Sequence, residues 1–138
     1  VSYLLDANVV SELTRTDPDR NVVAWIDNLP SEALFLSVLS LGEIRKGVEK
    51  LATGKRKERL VLWLEHDLPQ WFGNRFLPID AKVADRWGLL TGQAPRSVPA
   101  IDSLLAATAL THGLTLATRN VKDFDFPDLN AVNPWDGA

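Results

Sequence analysis

Residues 1–12 read VSYLLDANVVSE, and the stretch that decides the fold is Leu4-Leu5-Asp6-Ala7-Asn8. An apolar run ends on an acid, with an amide two positions later. Asp and Asn both favour turns and helix starts, so punctuation alone would explain them. Parallel strands, however, deliver ligand-binding residues at their carboxyl ends. SYLLD reads as a short buried strand, followed by a helix over about Asn8 to Arg15, which leaves Asp6 at such an end. Asn8 is expected to start the helix behind it.

Beyond this stretch, strands and helices alternate. TDPDRNVVAWIDNLP predicts a helix with Asp17 as N-cap and Pro18 at the first helical position, closed by Pro30. LFLSVL is a second strand. SLGEIRKGVEKLATG is a helix with Leu41, Ile44, Val48 and Leu51 on one face and Gly54 as its stop. KRKERLVLWLEHDL pairs with it until Pro69 interrupts. RFLPID gives a third strand, and Asp80 caps the helix AKVADRWGLLTG. After the loop QAPRSVP, the helix PAIDSLLAATALTHG turns Ile101, Leu104, Leu105 and Thr108 to the core and ends at Gly113. LTLATRN is a fourth strand, and AVNPW adds a short last one. The alternation predicts an α/β fold with a parallel sheet between helices, one domain over residues 1–138.

Composition narrows the chemistry. Of 138 residues, 46% are hydrophobic and 24% charged, an ordinary globular balance. No apolar stretch approaches a bilayer span, and no basic segment followed by a long apolar run opens the chain. Without cysteine, disulfides, thiol catalysis and Cys-based zinc sites are excluded, and the cytoplasm is the expected compartment. The net charge of −3 carries no global sign of nucleic-acid binding. Locally the balance differs. Arg45 to Arg59 holds seven basic residues against two acids, on a body that is otherwise acidic. Such a segment could meet a phosphate backbone or be a solvated helix face.

The acids carry the most information. Asp6 ends the first strand. Glu43, three residues after Ser40, satisfies the capping-box spacing and lies off the apolar stripe of its helix. Asp102 sits in the first turn of the AIDSLLAATA helix, where the macrodipole favours an acid, but at the edge of the apolar face. Asn120 and Asp123 follow the strand LTLAT, and turn chemistry explains both. Each has a structural explanation alone. Together they occupy the end of strand one, the starts of two helices and the end of a late strand, which a parallel sheet can bring to one edge. Clustered carboxylates cannot all stay ionised without a cation. Hard oxygen donors in that number suit Mg²⁺ or Mn²⁺ rather than zinc. Neither His66 nor His112 has a ligand-like partner. No G-x-S-x-G, Walker or G-x-G-x-x-G motif occurs, which leaves metal-assisted hydrolysis.

LLDANVVSE, LSLGEIRKGV, IDSLLAATAL and TRNVKDF, in this order and spacing and with AVNPW at the end, resemble PIN-domain ribonucleases. The match is closest to the VapC/FitB-like toxins of bacterial type II toxin–antitoxin pairs, and it covers essentially the whole chain. The resemblance implies a three-layer α/β/α sandwich around a central, mostly parallel sheet of four to five strands. It also implies endonucleolytic hydrolysis of RNA to 5′-phosphate and 3′-hydroxyl ends. Asp6, Glu43 and Asp102 match the first three acids of the family, which hold one or two Mg²⁺ (or Mn²⁺) ions. The fourth position falls on Asn120, with Asp123 as the carboxylate that could replace it, and Thr118 matches a residue that supports the cluster. A homodimer is implied, together with a small DNA-binding antitoxin whose C-terminal segment crosses the toxin, in apolar grooves near the first helices and Trp25. Arg45 and Lys46, close to Glu43 in sequence, are the expected RNA contacts within the basic stretch. Two alternatives share some of these features: a catalytically impaired PIN domain acting as a binding module, and a haloacid-dehalogenase-like phosphatase. The latter wants an Asp where this chain has Asn8.

Overall fold

Leu4 and Leu5 are both fully buried, yet they belong to different cores, because successive strand residues face opposite sides of a sheet. The computed structural model describes residues 1–137. Its sheet contains β1 (Tyr3–Leu5), β2 (Leu34–Ser37), β3 (Phe76–Leu77), β4 (Thr115–Ala117) and β5 (Ala131–Val132). They lie in the order β3-β2-β1-β4-β5, every neighbouring pair parallel. Leu5 faces a core shared with Val9 and Val10 of α1 (Ala7–Glu12), Val22 and Ile26 of α2 (Arg20–Asp27), and Ile44 and Val48 of α3 (Val38–Glu49). Leu4 faces Leu105, Ala106 and Ala109 of α7 (Ala100–His112), with Leu90 of α6 (Ala81–Gly92) packed alongside. Helices therefore cover both faces of a parallel sheet, and the three-layer α/β/α sandwich is the observed architecture. Each fully buried leucine contributes about 1.5–3 kcal/mol by its removal from water.

Register prepares one edge for chemistry. Leu5 is paired with Leu36 on one side and Ala117 on the other, and Ala117 with Val132. One step further along each strand stand Ser37, Asp6, Thr118 and Asn133, a polar row at the carboxyl edge. The chain moves from β1 outward through β2 and β3, then returns to place β4 on the opposite side of β1. The reversal between β1 and β4 is the switch point at which parallel sheets open a crevice.

Several local expectations are corrected. Asp6 caps α1 itself, with its side chain accepting from the Ala7 N–H, so Asn8 is already inside the helix, which ends at Glu12. The N-cap of α2 is Asp19, not Asp17. The buried Glu12 carboxylate accepts the Asp19 N–H at 2.8 Å and so holds residues 17–19 outside the helix. The strand LFLSVL stops at Ser37, whose hydroxyl accepts the Leu39 N–H and starts α3 there. Ser40 thus lies inside α3, and the Ser40–Glu43 capping box does not form. Gly54 does not stop α3 but precedes α4 (Lys55–Leu62). Pro69 does not interrupt the next helix either. The helix widens at Trp63–Asp67, with the Leu68 N–H donating to the Trp63 carbonyl, and continues through Pro69 in α5 (Leu68–Phe72). Ile101 is exposed. Gly113 ends α7 as expected, at φ +66°, a conformation that disfavours any side chain. Among the described residues no helix is long and apolar enough to cross a membrane.

Arg75 ties the end of α5 to the start of β2. Its guanidinium donates to the Leu34 carbonyl at 2.6 Å and to the carbonyls of Ser31 and Trp71, and lies 5.4 Å from the Phe72 ring centre. Arg75→Ala is expected to cost about 2 kcal/mol by leaving these carbonyls without their charged donor. The thermal midpoint should then fall by roughly 6–8 °C. Arg75→Lys should recover less than half of that loss, because an ammonium cannot reproduce the planar fork. Thermal unfolding followed by circular dichroism measures both variants.

Candidate active site

Asp6 is the centre of the polar edge. Strand pairing buries it beside β4, where its N–H donates to the Ala117 carbonyl at 2.9 Å. Its Oδ1 accepts the Ala7 N–H at 2.7 Å, and its Oδ2 accepts the Thr118 hydroxyl at 2.8 Å. The Thr118 oxygen in turn accepts the Asn120 N–H at 3.1 Å. Both carboxylate oxygens are therefore oriented by donors, one from each of two elements separated by most of the chain. One carboxylate thus starts a helix and lies at the switch point of the sheet.

Glu43 and Asp102 both lie within reach of the Asp6 charge. Burial raises the Glu43 carboxyl above its ordinary range, and the negative charges of Asp6 and Asp102 raise it further, while Lys46 draws it back. Asp102 is raised by burial and then by Asp6 and Asp123. Asp6 is raised by burial, against the lowering effect of the Thr118 and Ala7 hydrogen bonds. Charge thus links Glu43 and Asp102 to Asp6 and to each other. Asp123 joins the group through Asp102. The turn of 3₁₀ helix at Val121–Phe124, in which the Asp123 N–H donates to the Asn120 carbonyl, carries it there.

Asn120 is exposed, and its backbone N–H, not its amide side chain, is the group bonded to Thr118. Between the two residues after β4, Asp123 is the one that acts electrostatically on Asp102. Arg45 is held by Glu65 at 2.7 Å and by Glu49 at 3.4 Å, so its charge is already answered. Lys46 remains beside Glu43 as a compensating cation. Trp25 packs edge-on against Tyr3, with ring centres 4.9 Å apart.

Two features escaped the reading of the sequence. Glu12, buried and bonded to Arg15 and the Asp19 N–H, organises the connection after α1. Its three-residue spacing from the buried Val9 was the available sign that it lies on the inward stripe. Arg119, between Thr118 and Asn120, lies 5.1 Å from the Trp135 ring centre, and its N–H reaches the Asn8 side chain at 3.5 Å. Nothing in the sequence pattern marked it.

A divalent cation suits this donor set. The carboxylates are hard oxygen donors, and each is held above its ordinary range by burial or by its neighbours, a strain that a cation relieves. Among the described residues, no three His, Cys, Asp or Glu side chains stand close enough together to hold an ion as they are.

The PIN domain family model matches residues 3–129. The chain is 40% identical over 135 residues to Toxin FitB of Neisseria gonorrhoeae, spanning 96% of this chain and 97% of that one. It is 38% identical over 138 residues to the VapC ribonuclease Y4jK of Sinorhizobium fredii, spanning 98% and 99% respectively. The crystal structure of FitAcB from Neisseria gonorrhoeae superposes with a TM-score of 0.90 at 40% identity, over 96% of this chain and 98% of that chain. With its fold, its acidic edge and its relatives in agreement, the chain belongs to the PIN-domain family, beside the FitB- and VapC-like toxins.

Proposed function

We propose that the protein is a Mg²⁺- or Mn²⁺-dependent endoribonuclease and the toxin of a toxin–antitoxin pair. The observation that carries this reading is the set of raised carboxylates, Asp6, Glu43 and Asp102, at the switch point of a parallel sheet. The names of the relatives, a toxin and a ribonuclease, support it. Asp6, Glu43 and Asp102 would hold the ion, with Asp123 as the fourth carboxylate in place of Asn120. When bound, the ion supplies activation of water and neutralisation of charge on the phosphate and leaving oxygen.

The chain's own residues do the positioning. The Ala7 N–H and the Thr118 hydroxyl fix both oxygens of Asp6, so its ligand direction is set before any ligand arrives. Burial and repulsion keep Glu43 and Asp102 poorly satisfied without a cation, which favours binding one. Lys46 limits that repulsion at Glu43. An antitoxin of the kind described for the family, covering this crevice, would silence the enzyme in the cytoplasm, and a homodimer would present two such crevices.

Purified protein incubated with transfer and ribosomal RNAs should cut in Mg²⁺ or Mn²⁺ and not in EDTA. The products should carry 5′-phosphates, detected by sensitivity to a 5′-phosphate-dependent exonuclease. Cutting that persists at full rate in EDTA would sink the metal mechanism. A folded protein that cuts none of these RNAs and is harmless on expression in cells would replace the nuclease by a binding module.

A further inference from the structure

We propose that single-stranded RNA reaches the acidic site along a basic channel between the α1–α2 connection and α4, with Arg56 and Arg59 holding its backbone phosphates. The inference rests on the ribonuclease reading and names the surface that reading leaves open. Two grooves meet the acidic cluster. The larger, about 880 Å³, contains Asp102 and Asp123 and is lined by four acids against three cations, an unfavourable bed for a polyanion. The other, about 350 Å³, contains Glu43 and Glu12 and is lined by Arg15, Arg56 and Arg119, with Arg15 paired to Glu12. It shares Arg15, Arg56 and Trp63 with an adjoining hollow of about 440 Å³ that adds Arg59 and contains no acid. Cations thus outnumber acids on the Glu43 side, and the excess continues outward into the hollow.

Ion pairing and position together separate the cations of the basic stretch: Lys46, Lys50 and Lys55 are also unpaired among the described residues but line neither the groove nor the hollow. Arg45 and Lys57 are bound to acids, with Glu49 common to both, and Arg15 is bound to Glu12. Arg56 and Arg59 have no ion-pair partner among the described residues, and both are exposed. Positions 56, 59, 60 and 63 follow the i, i+3, i+4, i+7 spacing of one helix face, and all four line the hollow. That face offers two free guanidinium groups for phosphates, with Trp63 beside them as a surface on which a base can stack. Charge complementarity therefore favours a nucleic-acid strand over a protein segment here.

The test uses the full chain in EDTA, where no cutting is expected, and a fluorescein-labelled, mixed-sequence RNA 12-mer read by anisotropy over a KCl series. Arg56→Ala/Arg59→Ala should weaken binding about 10-fold at low salt and reduce the log–log salt slope by about 1.4, the loss of two phosphate contacts on a single strand. Arg56→Lys/Arg59→Lys should keep the slope, and Lys55→Ala/Lys57→Ala should change affinity less than about 2-fold. In Mg²⁺ the double alanine variant should raise KM and leave kcat near wild type. An unchanged slope and KM in a variant that still cuts RNA would overturn the channel and leave the nuclease reading standing. Wild-type protein that neither binds nor cuts RNA would remove both. Normal RNA binding with lost retention of a co-expressed protein partner would reassign the channel to that partner and overturn the proposal.

Discussion

Asp6→Asn is expected to lower kcat/KM for RNA by at least about 10³-fold, the size of effect seen when a group that organises transition-state charge is removed. The same variant should be at least as stable as wild type in EDTA at pH 7, with an equal or higher melting temperature. Burial raises the Asp6 carboxyl, so its ionised form is less favourable in the fold than in the unfolded chain. That penalty is fully present above the raised pKa and absent below the unfolded value. The advantage of the Asp6→Asn variant should therefore shrink as pH falls through the raised pKa towards the ordinary carboxylate range. Added Mg²⁺ should reverse the ranking, since ligand at 100 times its Kd stabilises a binding-competent wild type by about 2.7 kcal/mol. Thermal melts at two pH values, with and without the ion, read all of this. A variant that melts well below wild type in EDTA would show that Asp6 serves the fold first.

Thr118→Val should produce the second-largest loss, about 10- to 100-fold in cleavage, the range for a residue that orients a metal ligand from behind. The substitution keeps the shape and removes both the donor to Asp6 Oδ2 and the acceptor for the Asn120 N–H. Stability should fall by about 1–2 kcal/mol. A more specific signature lies in pH. The Thr118 hydrogen bond lowers the Asp6 pKa against its burial, so without it the carboxyl rises further. The acid limb of the pH–rate profile should move to higher pH, the defect being deepest in acid and easing as pH rises. Thr118→Ser should restore the wild-type limb. A loss that is uniform across pH, and that Ser does not repair, would reduce Thr118 to a packing residue.

The architecture was legible wherever local and global preferences coincided. Leu4 and Leu5 form a short apolar run that ends on an acid, Asp80 caps α6 through the Val83 N–H, and Gly113 takes the left-handed turn that its position after α7 requires. Errors arose where a distant contact chose between equivalent local options. Asp17 and Asp19 are equally good caps by type, and the carboxylate of Glu12 decides between them. Val38 and Leu39 prolong the apolar run of β2, but the Ser37 hydroxyl has already turned the chain into a helix. Pro69 looked like a break because a proline removes a donor, and the widened turn before it accommodates the loss. Positions 6, 43 and 102 could be marked as acids of interest only together, since each has a structural use of its own and it is their places on a parallel sheet that bring them to one edge. Choosing between Asn120 and Asp123 could not be done from spacing, because the 3₁₀ turn that returns Asp123 towards Asp102 leaves no periodic mark.

The position of β1 has a consequence in time. Of the five strands of this sheet, the first to be synthesised is the central one, and it acquires its second neighbour only when residues 115–117 are available. The hydroxyl that orients Asp6 comes from the residue directly after them, 112 positions away in sequence. A nascent chain therefore carries its first acid long before that acid can be held in working geometry. Closing such a distant pairing is slow compared with forming helices. A site of this topology is complete only once the chain has been made through Thr118 and β4 has paired with β1.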